Sequence, residues 1–360
     1  MNYRSLCWLL LFLAAPGPLA AQTHTENVIF ITLDGLRWQD LFTGADSMLM
    51  ADERYTDDPA DFEERYWADA AAVRRARLMP FFWNTIAEQG QIYGNRELGC
   101  RVDASNRHLF SYPGYNEILA GRADDERIDS NEKRPNPNVT VLETVNRATG
   151  FDGRVAAFGS WDVFPFIINE GRSGVPVNAG FEPAAGPNLS EKERLLNTLQ
   201  VQIPSPWSTV RLDAFTHHFA LEHLRQERPR LLYVAYGETD DFAHDGDFGA
   251  YLTAAERTDA FIAELWNWVQ AQDDYRGKTT FVITTDHGRG EGDAWTGHGS
   301  SVDGAEAIWL AVLGPDTPAV GERVGPCDLY QNQVAATVAR LLGLELGPEA
   351  GPPIESAFGD

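Results

Sequence analysis

The chain has 360 residues, 53 acidic against 29 basic, a net charge of −24 and a hydrophobic fraction of 43%. That length and apolar content fill a sizeable core in one large or two small domains, which excludes disorder of the whole chain. So acidic a chain, with no long Lys/Arg run, repels a phosphate backbone and does not bind a nucleic-acid duplex as its main work; three cysteines without a CxxC pair exclude a disulfide scaffold and a structural zinc module.

In chain order, residues 1–21 come first: Arg4, an apolar run from Leu6 to Ala15, a break at Pro16 and Pro18, then Leu19-Ala20-Ala21 before Gln22. This is the pattern of a secretory signal peptide cleaved after Ala21. A stable membrane anchor needs roughly 20 apolar residues, more than this broken run offers, so the expected location is the periplasm or the extracellular space. Cleavage also removes Cys7, leaving Cys100 and Cys327 either bridged or as two buried thiols.

Residues 22–360 read as a single catalytic domain. Strands are expected over Asn27 to Leu33, Arg154 to Phe158, Leu231 to Ala235, Thr279 to Thr285 and Ala307 to Leu313. Helices are expected over Pro80 to Gln89, Tyr112 to Ala120, Thr140 to Ala148, Glu191 to Leu199, Thr209 to Gln226, Phe248 to Gln272 and Tyr330 to Leu342. Near-continuous apolar strands alternating with helices predict an α/β fold, a mainly parallel central sheet covered by helices on both faces. The charged stretch 46–76 is expected as a surface insertion and the Gly- and Pro-rich stretch 171–187 as loop-rich.

In such sheets ligands gather at the carboxyl ends of strands. There the sequence places Asp34, Asp240 with His244 four residues on, Asp286-His287-Gly288, and then Gly297-His298-Gly299. Singly each is weak, since an Asp after a strand is usually a turn residue or cap. Together, three carboxylates and three imidazoles suit two divalent cations, zinc first and manganese second. Two such cations clamp the attacking and leaving oxygens of an in-line displacement. Asp241 competes with Asp240, but the spacing to His244 favours Asp240.

A nucleophile is offered by Ser111, in Phe110-Ser111-Tyr112-Pro113, just ahead of an apolar helical run. At a helix N-terminus the unpaired N–H groups and the positive dipole end favour an alkoxide and a phosphate oxygen. A plain N-cap role for Ser111 fits the local sequence equally well. His217, His218 and His223 fall on one expected helix and are read as surface or satisfied core histidines. Trp161, Phe164 and Phe166 are read first as core, second as stacking groups for a leaving group.

The ordered set Asp34, Ser111-x-Pro113, Asp240-x3-His244, Asp286-His287-Gly288 and Gly297-His298-Gly299 resembles the alkaline phosphatase superfamily, most closely its nucleotide pyrophosphatase/phosphodiesterase branch, over about residues 27–343. The resemblance implies one zinc held by Asp240, His244 and His298, and a second held by Asp34, Asp286 and His287 with Ser111 Oγ. It also implies an Asn on a non-bridging phosphate oxygen, for which Asn131 is nearest, with Asn136 and Asn138 behind it.

Departures from the family pattern narrow the class. Ala235 stands where classical alkaline phosphatases carry a magnesium-binding Glu, and Ser160-Trp161-Asp162 stands where a group of two-zinc monoesterases carries a Lys-x-Arg clamp. Tyr115 stands where sulfatases need Arg. Phosphoglycerate mutases of this superfamily carry a larger insertion than the stretch between Ser111 and Asp240 holds. The expectation is therefore a secreted two-metal phosphoric-ester hydrolase acting on a small phosphate ester through a Ser111 phosphoenzyme, and a phosphodiesterase first. A phosphomonoesterase is the alternative, then a mutase or sulfatase of the superfamily, or a non-catalytic protein that binds metal or phosphate. Arg101, Arg107, Arg122 and Arg172 are the cations available to a monoester.

Overall fold

The computed structural model describes residues 23–359. The expected signal peptide, residues 1–21, lies outside the described residues. Among those described, eleven strands form two sheets: β1 (Asn27–Leu33), β2 (Gln91–Tyr93), β3 (Val102–Asp103), β4 (Val155–Gly159), β5 (Val177–Ala179), β6 (Leu231–Tyr236), β7 (Thr279–Thr284), β8 (Ala307–Ile308), β9 (Leu310–Leu313), β10 (Gly321–Glu322) and β11 (Leu329–Tyr330). Eight make the main sheet in the order β10-β2-β9-β7-β1-β6-β4-β5, and β11-β3-β8 make a small second one. In the main sheet only β9 runs against the rest, antiparallel to both β7 and β2.

β1 sits between β6 and β7 and is parallel to both, with Val28 opposite Leu231 and Thr280. All seven of its residues are buried. Ile29, Ile31 and Leu33 pack on one face with Phe215 and Phe219 of the Asp213–Glu227 helix and Ile262 of the Phe248–Gln270 helix. Val28 and Phe30 pack on the other with Ile118 of the Ser111–Ala120 helix and Val338 of the Val334–Leu341 helix. Two covered faces explain why the strand reads as an unbroken apolar run. Each fully buried side chain of this size is worth about 1.5–3 kcal/mol, so a charge at Ile31 would break the centre of the sheet.

Several boundaries differ from expectation for local reasons. The expected strand Ala307 to Leu313 is two strands in different sheets, parted at Trp309, whose indole donates to the Leu36 carbonyl at 2.9 Å. The expected helix from Thr209 starts at Asp213 because Val210 pairs with Trp161 in an isolated bridge. The expected helix from Tyr330 starts at Val334 because Leu329 and Tyr330 form β11. The stretch 171–187 contains the sheet's edge strand β5, so it is not wholly loop. Residues 46–76 form short helices, Ser47–Met50, Pro59–Tyr66 and Ala71–Leu78, and bury Leu49, Met50 and Tyr66 in the core. Cys100 and Cys327 are bridged, with Cα atoms 4.8 Å apart. No helix among the described residues is long and apolar enough to cross a membrane.

Candidate active site

Because β1, β6 and β7 are parallel neighbours, their carboxyl ends open on one edge of the sheet. Asp34 follows β1 directly, its N–H donating to Tyr236 O at the end of β6. β6 leads through Gly237 into the Glu238–Asp245 helix, which carries Asp240 and His244 one turn apart on one face. β7 leads into Asp286 and His287.

Two glycines make the crowding possible. Gly35 has φ +57°, and a Cβ there would lie 2.9 Å from both Arg289 Nε and Asp240 Oδ1; its N–H donates to Asp286 Oδ1 at 3.0 Å. Gly114 lets the Ser111–Ala120 helix press against the β7 exit, where a Cβ would come within 2.4 Å of the Asp286 carbonyl.

The side chains converge. His287 Nε2 lies 3.3 Å from Asp34 Oδ1, 3.4 Å from Asp286 Oδ2 and 3.7 Å from Asp240 Oδ1. His244 Nε2 lies 3.3 Å from Asp240 Oδ2 and 2.9 Å from His298 Nε2, and His298 Nε2 is 3.7 Å from Asp240 Oδ1. By distance the donors fall into two overlapping trios, Asp34-Asp286-His287 and Asp240-His287-His298, with His287 common to both and His244 at the rim. Among the described residues, Asp34 Oδ1, Asp286 Oδ2 and His287 Nε2 are buried without any hydrogen-bond partner. Such atoms cost free energy unless something satisfies them.

The imidazoles are oriented from behind. His287 Nδ1 lies 3.0 Å from Gly288 O and His298 Nδ1 lies 3.2 Å from Leu109 O. A carbonyl accepts only, so each Nδ1 carries the proton and each Nε2 turns a lone pair into the cluster. Burial holds both rings neutral, pushing His287 down to about 4 and His298 down to about 3. Burial and the neighbouring Asp240 raise Asp34 to about 7, and burial with Asp34 and Asp240 nearby raises Asp286. Burial opposes ionisation of Asp240 as well, but Arg289 and the adjacent histidines hold it well below the usual range. Three carboxylates this close do not all ionise without added positive charge.

Ser111 is the first residue of its helix, and the cap position belongs to Phe110, with no side-chain cap bond. The N-cap reading of Ser111 therefore fails: among the described residues its hydroxyl has no partner. Tyr112 N–H is taken by Asn131 Oδ1 at 3.0 Å, and Pro113 has no N–H. Of the first-turn donors expected to be free, only the Ser111 N–H remains so among the described residues. Just before it Leu109 has φ +54°, a left-handed conformation rare for such a residue. Asn136 and Asn138, the reserve candidates, are buried and bonded to Asn116. Asp241 lies beside Gly237, its Oδ2 3.9 Å from the ideal Cβ position there, and outside both trios.

Three residues around the cluster escaped the sequence reading. Arg289, fully buried, bonds Asp240 Oδ1, donates to Asp240 O at 3.0 Å and donates to Thr296 O at 2.7 Å. Tyr115 donates to Asp34 Oδ2 at 2.9 Å, and Gln331 donates to Asp286 O at 2.6 Å. Their one sequence signal is position: Arg289 directly after Asp286-His287-Gly288, and Tyr115 one turn after Ser111. Phe164 is core, packed on Tyr115 and Tyr233, while Trp161 and Phe166 are half-buried.

Comparison with known proteins agrees with this fold. The fold matches wild-type alkaline phosphatase PafA at a TM-score of 0.62 and 11% identity, over 96% of this chain and 100% of that one. It matches murine ectonucleotide pyrophosphatase/phosphodiesterase 5, solved as an inactive variant with AMP, at 0.57 and 11%, over 93% and 100%. A 2-O GAG sulfatase matches at 0.55 and 12%, over 93% and 74%. Among curated proteins none matches the chain by sequence. The family model described as type I phosphodiesterase / nucleotide pyrophosphatase matches residues 57–299. The chain thus belongs to the type I phosphodiesterase / nucleotide pyrophosphatase family, within the alkaline phosphatase superfamily of phosphoryl and sulfuryl hydrolases.

Proposed function

We propose that the protein is an exported two-metal phosphodiesterase that works through a phosphoserine at Ser111. The observation that carries this is the convergence of three buried, partnerless atoms, on Asp34, Asp286 and His287, at the strand exits against which the Ser111 helix is packed. Acceptor-only atoms and neutral imidazole lone pairs fit a divalent cation, and borderline N/O donors favour zinc, with manganese second. Asp34, Asp286 and His287 would hold one ion with Ser111 Oγ, and Asp240, His244 and His298 the other. Bound there, the ions supply positive charge that favours an alkoxide at Ser111 and a departing or attacking oxygen.

The chain's own groups do the rest. Ser111 Oγ, its proton passing to solvent, attacks phosphorus as the P–O bond to the leaving group breaks and the leaving oxygen takes a proton from solvent. A water then attacks phosphorus as the P–Oγ bond breaks, one of its protons restoring the Ser111 hydroxyl. The Ser111 N–H and the helix dipole face the anion, and Asn131 has its amide NH2 free to donate to a non-bridging oxygen. His287 and His298 keep fixed tautomers and lend no proton.

Diester preference follows from the surrounding cations. Asp162, in place of a clamp residue, is paired with Lys133 at 2.7 Å. Arg122 bonds Asn138, Arg107 donates to Asp125 O, and Arg172 is held by Glu143. With these side chains engaged and Arg101 the one of the four without a side-chain bond among the described residues, the protein offers less positive charge than a monoester dianion requires, while a diester monoanion requires less. The Cys100–Cys327 bridge suits an oxidising compartment, in keeping with export; the mass of the secreted chain should show Gln22 as its first residue. The expected partner is a small phosphate ester, with neither a nucleic-acid duplex nor a membrane anchor.

Ser111→Ala is the deciding variant. It should lower turnover of bis-p-nitrophenyl phosphate by at least about 10³-fold while two zinc ions stay bound; full activity would sink the reading. Specificity constants for p-nitrophenyl phosphate, bis-p-nitrophenyl phosphate and a dinucleotide on the zinc form rank the substrate classes, and a monoester lead would overturn the diester assignment.

A further inference from the structure

Glu117 lies on the same helix as Ser111, fully buried, and no cation pairs with it among the described residues. Four donors from one short loop close on it instead. Ser105 N–H and hydroxyl donate to Oε1 at 2.9 and 2.6 Å, and Asn106 N–H and amide donate to Oε2 at 2.8 and 2.9 Å. A carboxylate is the side chain with enough acceptor sites to meet all four.

The loop it grips leads straight to the site. Asn106, held through its amide nitrogen, uses its oxygen to accept the Leu109 N–H at 2.8 Å. That bond holds the chain at the left-handed kink of Leu109, φ +54°. The Leu109 carbonyl in turn accepts from His298 Nδ1 at 3.2 Å, and two residues on stands Ser111. A strained kink persists only where its surroundings over-determine it. Here the surroundings are a buried carboxylate and one asparagine.

We propose that Glu117 is a positioning residue: through Asn106 it fixes the Leu109 kink, and the kink sets Ser111 on one side and the His298 ring on the other. The Ser111 half rests on the nucleophile assignment above; the His298 half does not. One buried group then governs both the aim of the nucleophile and the donor set of one metal site.

Glu117→Gln is close in size but puts an NH2 among N–H donors whichever way the amide turns. For bis-p-nitrophenyl phosphate, kcat should fall about 10- to 100-fold with KM within about twofold, because aim is lost and not substrate affinity. Zinc affinity, read by competition with a chromophoric chelator, should fall about 10-fold for one of the two ions, as expected when a ligating histidine loses its carbonyl acceptor. Adding Asn106→Asp to Glu117→Gln places a carboxylate in the loop that accepts both from the new amide on the helix and from the Leu109 N–H. The double variant should recover at least about fivefold in kcat. If Glu117→Gln fails to fold, Asn106→Ala, which leaves the Ser105 contacts, should lower kcat and zinc affinity in the same direction.

Variants that lose melting temperature yet keep wild-type kcat and zinc affinity per folded molecule would reduce Glu117 to a structural residue and overturn the proposal. An active Ser111→Ala alongside a zinc defect in Glu117→Gln would overturn the nucleophile reading and keep the His298 half.

Discussion

Two groups of imidazoles and carboxylates in this molecule have similar composition and opposite surroundings. At the strand exits, Asp34 Oδ1, Asp286 Oδ2 and His287 Nε2 face one another with no hydrogen-bond partner among the described residues. Between the Asp213–Glu227 and Phe248–Gln270 helices, His217, His218 and Glu264 also bring their donor atoms within 4.8 Å. There, however, His217 uses Nδ1 on Tyr236 OH at 3.1 Å and Nε2 on Glu264 at 3.1 Å, and stacks on Phe261 at 4.2 Å. Arg225 approaches the same Glu264, and burial above all, with Lys192 adding to it, disfavours positive charge on both rings. Donor count does not separate the two groups. What separates them is how many facing lone pairs are spent. Three lie open together at the strand exits, whereas among the described residues of the helix group only His218 Nδ1 is buried without a partner, and His217 and Glu264 are engaged with Arg225 beside them.

The largest test of that difference is a pair of variants. Asp286→Asn should remove about one zinc ion per chain and lower turnover by at least about 10³-fold. His217→Ala should leave zinc content and turnover unchanged while costing about 2 kcal/mol of stability through the lost buried ring. Metal analysis and thermal melts on both variants decide it; zinc lost from the His217 variant would collapse the distinction.

Arg289 complicates the contrast, because it brings a cation into the unsatisfied group. It ties Asp240 to the Thr296 carbonyl, two residues before His298, and so joins two elements that deliver donors to one site. If that tie outweighs its repulsion of a bound cation, Arg289→Met should weaken one zinc about 10- to 100-fold in chelator competition. Arg225→Met, beside the satisfied group, should change nothing. Tighter zinc in Arg289→Met would mean that its charge competes with metal instead of orienting the ligands.

The contrast also explains what the sequence made legible. β1 was expected and found at Asn27–Leu33, because a strand buried on both faces is apolar throughout. Asp34, Asp240, Asp286 and His287 could be named because parallel strands deliver whatever follows them to one edge, and His244 because one helical turn separates it from Asp240. β2, β5 and β10, of two or three residues, are too short to show a period. The reversed direction of β9 leaves no trace in its composition. Arg289, Tyr115, Gln331 and Glu117 were missed for a different cause: each acts through a partner distant in space, and only coordinates reveal whether a buried polar atom is spent. By type alone His217 and His287 are the same residue.

Asn131 carries both conditions in one side chain and gives the smallest effect. Its oxygen is spent on Tyr112 N–H at 3.0 Å, while its amide nitrogen has no partner among the described residues. Asn131→Ala removes a donor to phosphate but also releases the Tyr112 N–H at the helix N-terminus, where a free N–H favours an anion. The two changes oppose each other, so kcat/KM for bis-p-nitrophenyl phosphate should fall by less than about 10-fold. Asn131→Asp keeps Tyr112 N–H engaged, deletes the donor and sets a carboxylate toward the substrate, so its loss should be the larger, about 10- to 100-fold. Equal losses in the two variants would show that the Tyr112 N–H never reaches the phosphate, leaving the Ser111 N–H as the one backbone donor of that helix end.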